Sequence, residues 1–134
     1  MTDFFNITMP KGELLQLSSL GLAHMGDAVF ELLVRSRLCH KGLKSAKNLH
    51  KSTVAMVSAG AQAKGVRRVL PMLTEQELQV FTRGRNAKVN GVPKGASVEE
   101  YHLATGFETL LGYLYLSGQQ ERINLLFDMF CKDV

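Results

Sequence analysis

Between Leu32 and Thr74 the chain has no acidic residue, and a second stretch from Leu78 to Val98 lacks one too. The first carries Arg35, Arg37, Lys41, Lys44, Lys47, Lys51, Lys64, Arg67 and Arg68, and the second Arg83, Arg85, Lys88 and Lys94. The net charge is only +4 over 134 residues, so the asymmetry lies in distribution and not in total. Such a pattern points to a polyanionic partner, most often nucleic acid, although a solvated basic face with no partner has the same signature. Aromatic residues are not interleaved with these bases, which argues against a reader of single strands.

Cysteine is scarce. Cys39 and Cys131 form no CxxC and no zinc spacing with a histidine, so free thiols are expected. His24, His40, His50 and His102 show no HxxxH or HExxH, and each reads as a surface or loop residue. No apolar run approaches the roughly 18 residues of a membrane span. The opening Met1-Thr2-Asp3-Phe4-Phe5-Asn6 lacks the basic start and apolar stretch of a signal peptide, so a cytoplasmic protein without membrane contact is expected. No alternating strand pattern bounded by turns occurs, and there is no repeat, low-complexity tract or linker.

The composition that remains is globular, 46% apolar, and long enough for its own core. The spacing predicts one all-α domain over residues 1–134. A short helix is expected from Gly12 to Leu17, then a long one capped by Ser18 or Ser19 and running to about Cys39. Ser45 begins another, with a break near Ser58-Ala59-Gly60, and a basic helix ends before Pro71. Thr74-Glu75-Gln76-Glu77 and Ser97-Val98-Glu99-Glu100 match the capping box and start helices at Glu75 and Val98. Lys88 to Gly95 reads as a loop. The helix from Val98 stops at Ser117-Gly118, and an amphipathic one covers Gln120 to Cys131.

Two acids stand where a helical projection puts apolar residues. Asp27 falls between Val34 and Leu38 on a face with Ala23 and Phe30, and Glu108 falls beside Ala104, Leu111 and Tyr115. Gly26, Gly106 and Gly112 are each unfavourable in a helix interior by about 1 kcal/mol. Together with Ala23, Ala28 and Ala104 they form small surfaces that let two backbones approach. Their helices are therefore expected to cross here and bring the acids together. Two carboxylates suit Mg²⁺, which takes oxygen donors and completes its shell with water and phosphate. Core hydrogen bonding, or pairing with Arg35 or Arg37, suits them equally on this reasoning alone.

Gly26-Asp27-Ala28-Val29 followed by Glu31-Leu32 resembles the signature helix of the ribonuclease III family, and Phe107-Glu108-Thr109-Leu110-Leu111-Gly112 resembles its second acidic motif. Arg83-Gly84-Arg85-Asn86-Ala87-Lys88, then Val92-Pro93-Lys94, is similar to the small nuclease-only branch, Mini-ribonuclease III. The likeness runs from about residue 20 to 126. It implies a single ribonuclease III-type catalytic domain that hydrolyses double-stranded RNA with Mg²⁺, leaving 5′-phosphate and 3′-hydroxyl ends. Asp27 and Glu108 would be catalytic metal ligands. Homodimerisation and maturation of the precursor of large-subunit (23S) ribosomal RNA are also implied, with assistance by a ribosomal protein left open. The alternative is a non-catalytic RNA-binding or ribosome-associated helical domain. Larger members carry further acids at the positions of Ala23 and Thr105, and the small branch shares their absence.

Arg83, Arg85, Asn86, Lys88 and Lys94 are the candidate RNA contacts outside the site, since arginine forks grip phosphate and a glycine-containing loop settles against a groove. Lys47, His50, Lys51, Lys64, Arg67 and Arg68 either extend that footprint or serve solubility. Glu31 is expected to pair with Arg35 one turn on. Thr105 either packs or hydrogen-bonds a metal's water.

Overall fold

The computed structural model describes residues 1–87 and 96–132, and among these it is built of helices without a strand. They are α1 (Lys11–Leu14), α2 (Ser19–His40), α3 (Ala46–Val57), α4 (Ala59–Val69), α5 (Glu75–Arg85), α6 (Val98–Leu116) and α7 (Gln120–Phe130), with 3-10 turns at Phe4–Asn6 and Leu70–Met72. The loop expected from Lys88 to Gly95 lies outside the described residues.

Short polar side chains set the starts. Ser18 Oγ accepts from the Gly21 N–H at 2.9 Å, Ser45 from Asn48 at 3.1 Å and Ser58 from Ala61 at 3.3 Å. Both capping boxes form, at Thr74/Glu77 and Ser97/Glu100. Each such cap is worth about 1 kcal/mol to its helix. The expectation for the first helix needs correction, because α1 stops at Leu14 and not at Leu17. Ser18 must be extended to cap α2, so the chain has to leave α1 earlier.

α6 is the central helix, buried along almost its whole length from Leu103 to Leu114, with α2, α4, α5 and α7 packed around it. Phe107 stacks on Phe130 at 5.3 Å, and Phe30 meets both edge-on, so α2, α6 and α7 share one aromatic centre. Glycine decides how closely the helices approach. A Cβ on Gly26 would collide with the backbone carbonyl of Glu108, and one on Gly112 with that of Leu22. α2 and α6 therefore touch main chain to main chain.

Two arginines tie distant elements together. Arg122 on α7 donates from Nε and Nη2 to the two oxygens of buried Glu77 on α5, each at 2.8 Å, and from Nη2 to the Met72 carbonyl. Nothing in the local sequence pattern signals that bridge, and it holds the Glu77 carboxyl below its usual range. Arg68 on α4 donates to the Phe130 carbonyl at 2.6 Å, so it fastens α7. Cys39 and Cys131 are free thiols, as expected.

Candidate active site

The α2–α6 contact sets the two acids side by side. Gly26 precedes Asp27, and its α-carbon rests on the Glu108 main chain, so the crossing inferred from the small residues is present. The side chains meet as well, the Asp27 carboxyl lying close enough to act on that of Glu108. Burial first, and then the Asp27 carboxyl, raise the Glu108 pKa to about 8. A carboxyl so placed holds its proton at neutral pH unless a cation displaces it.

One part of the sequence expectation is overturned. Asp27 is exposed and Glu108 is only half-buried, although Val34, Leu38 and Phe30 on the same helical side as Asp27 are buried. Helical angle fixes a direction; whether another element covers it depends on tertiary packing. Beside Glu108, α4 and α6 part to leave a cleft of about 560 Å³, lined by Ser58, Gly60 and Gln62 on one side and by Tyr101, Ala104 and Glu108 on the other.

Sequence reasoning misses Gln62. It lies in the buried face of α4 with Val66 and Val69, a polar residue at i ahead of apolar ones at i+4 and i+7, and that break in pattern is the available signal. Its Nε2 donates to the Val57 carbonyl at 3.1 Å, and the same side chain lies close enough to the Glu108 carboxyl to act on it across the shared cleft. The oxygen, Oε1, is buried without a partner.

The donor set suits a hard divalent cation. Asp27 and Glu108 offer oxygen only, two repelling carboxylates call for positive charge, and the exposed side of Asp27 leaves room for water and phosphate. No cluster of three or more histidine, cysteine or acidic side chains occurs among the described residues. Ala23 is buried, and Thr105 donates its hydroxyl to the Tyr101 carbonyl of its own helix at 3.0 Å, which favours packing for that residue. Glu31 pairs with Arg35, as expected, and stays with that partner.

Arg83, Arg85 and Asn86 are exposed at the end of α5, while Lys88 and Lys94 lie outside the described residues. Gly84 stands between the two arginines. It sits inside α5, buried, where a Cβ would strike Thr109 of α6, so it serves helix packing. His102, read as a surface or loop residue, has a role there: its Nδ1–H donates to the Arg85 carbonyl at 2.7 Å. This pins the arginines to α6 six residues before Glu108, about 9 Å along the axis.

Residues 20–119 match the family model described as the ribonuclease III domain. The chain is 45% identical to a Mini-ribonuclease 3 from Thermoanaerobacter sp. over 90% of its own length and 85% of that protein's. It is 49% identical to a Mini-ribonuclease 3 from Symbiobacterium thermophilum over 82% of this chain and 85% of that one. A crystal structure of a Fusobacterium nucleatum protein superposes with a TM-score of 0.80 at 29% identity, covering 87% of this chain and 95% of that chain.

Proposed function

Because this chain belongs to the ribonuclease III family and to its Mini-ribonuclease 3 branch, and is an endoribonuclease of double-stranded RNA, we propose that Asp27 and Glu108 are its catalytic pair and that they hold Mg²⁺. The observation that carries this reading is the meeting of the two carboxyls at a backbone-to-backbone helix contact. When bound, Mg²⁺ supplies an acidified, oriented water and neutralises the scissile phosphate and leaving oxygen. The protein's own work is to fix two oxygen donors, to give up the Glu108 proton on cation entry, and to keep the Asp27 side open to RNA. Arg83 and Arg85, held to α6 through His102, grip phosphates of the duplex. Duplex RNA is read by shape and by phosphate and 2′-hydroxyl contacts, which a helix end bearing arginine forks suits.

The products are 5′-phosphate and 3′-hydroxyl ends, and the substrate is the paired stem of a large-subunit ribosomal RNA precursor in the cytoplasm. The unit is a homodimer. Leu32 of α2 is 55% exposed, and the N-terminal turn adds Phe4 and Phe5 at 70% and 78%, an apolar area that a second copy would cover. The Phe5 carbonyl accepts from Gln120 and the Phe4 carbonyl from the Tyr115 hydroxyl, so the turn is fastened to that face.

End-labelled precursor stem and an unrelated duplex are incubated with the protein, with and without Mg²⁺, and the ends are mapped. Mg²⁺-dependent cuts in the stem, abolished in Glu108→Gln, are expected. Cleavage that is indifferent to Mg²⁺ or to Glu108 would overturn the site, and preference for the unrelated duplex would overturn the substrate. Sedimentation of Leu32→Lys tests the dimer, with a monomer expected.

A further inference from the structure

A ligand pair this thin needs something else to aim it. Ala23 has no donor, and Thr105 spends its hydroxyl hydrogen on its own helix. Among the described residues, the buried polar side chain that faces Glu108 from α4 is Gln62, only 4% exposed and lining the same cleft. Its amide is clamped at one end, since Nε2 donates to Val57, the last residue of α3. α4 is clamped too: Gly65 lies against the Phe130 ring with no room for a Cβ, and Arg68 grips the Phe130 carbonyl. The amide comes at a cost, since its Oε1 is left buried and unpartnered.

We propose that Gln62 is a positioning residue, which holds the Glu108 carboxylate in the orientation that takes a divalent cation together with Asp27. The proposal rests on the ligand assignment above and adds to it a third element, α4, as the jig for one ligand. Partners that orient a metal ligand characteristically change metal affinity by 10–100-fold when removed.

Gln62→Met keeps the length of the side chain and removes both donor and acceptor. Mn²⁺ binding to the RNA-free protein is followed by the decay of the free-ion EPR signal, alongside the thermal midpoint and the KM for a duplex. The expected result is Mn²⁺ affinity down about 10–100-fold, with the variant still folded at the assay temperature and KM unchanged at saturating Mg²⁺. Gln62→Leu repeats the measurement if the methionine variant does not fold. Wild-type Mn²⁺ affinity in a folded variant, while Glu108→Gln no longer binds the ion, would overturn the role of Gln62 and leave the ligands standing. Wild-type affinity in Glu108→Gln would overturn the ligand assignment and Gln62 with it. Loss of fold in both Gln62 variants would make the residue structural and also overturn the proposal.

Discussion

The α-carbon of Gly26 rests on the backbone carbonyl of Glu108, so the residue before one site acid touches the main chain of the other. A methyl group there must push α2 off α6. Gly26→Ala is expected to cost about 3 kcal/mol or more, since the neighbour is backbone and cannot turn aside. Cleavage should fall further than duplex binding, because the acids separate while the arginines do not. Gly12→Ala, where a Cβ meets nothing within 4 Å, is the control and should leave both unchanged. Chemical denaturation and a cleavage assay on the two variants check this.

That contact is legible in the sequence. Gly26, Gly106, Gly112 and the alanines around them sit within helical patterns that glycine weakens, which is explicable by close packing. The capping boxes, the Glu31–Arg35 pair and the free cysteines are legible for the same reason, since each is local in sequence. The Glu77–Arg122 bridge, the Arg68 tie and the Gln62–Glu108 contact join residues 45 or more positions apart. No periodicity encodes such pairs. The packing role of Gly84 is not legible either, because only the position of Thr109 across the interface reveals it.

Glu108 makes the metal-free protein pH-sensitive. Its folded pKa of about 8 lies above the ordinary 4.5, so between those values the folded chain keeps a proton that the unfolded chain has released. Stability from this group is present below pH 4.5 and is lost as pH rises through 8. In EDTA, Glu108→Gln should therefore exceed wild type at pH 9 by roughly 1–3 kcal/mol and match it at pH 4. Cation affinity runs the other way and climbs from pH 6 to 8, with release of a proton. Urea melts and calorimetry in two buffers of different ionisation heat measure both.

The arginines at the end of α5 should act on binding alone. Arg83→Gln with Arg85→Gln is expected to weaken duplex affinity and reduce the salt slope by about one for each phosphate no longer gripped. Both side chains are exposed, so the melting midpoint should hold. Arg68→Ala should do the reverse, lowering the midpoint through the Phe130 carbonyl with little change in salt slope. An unchanged slope in the first variant would move the RNA footprint to α3 and α4.

Arg122→Ala leaves Glu77 buried without its partner. The expected loss is about 3 kcal/mol, in the range for breaking a buried pair at one end. Glu77 lies on α5, away from the cleft, so specific activity below the new midpoint should match wild type. A thermal melt paired with cleavage at low temperature separates these effects.

A dimer with one active and one Asp27→Asn subunit tests the proposed symmetry. Each site needs only its own cation, so the mixed dimer should nick one strand of a duplex, the double mutant neither and wild type both. Denaturing and native gels of strand-labelled duplex report this after purification on two tags. Efficient double-strand cuts without subunit exchange would refute one site per strand.

The tether between Arg68 and Phe130 gives the last helix a reach that its position would not suggest. Phe130 fills the space over Gly65, and Gly65 lies one helical turn from Gln62. Trimming the chain back past Phe130 would therefore loosen the wall of the cleft without removing any residue that lines it. A truncated or poorly tagged preparation could fold, bind duplex and still cut slowly, its fault lying in the anchorage of α4 and in neither acid.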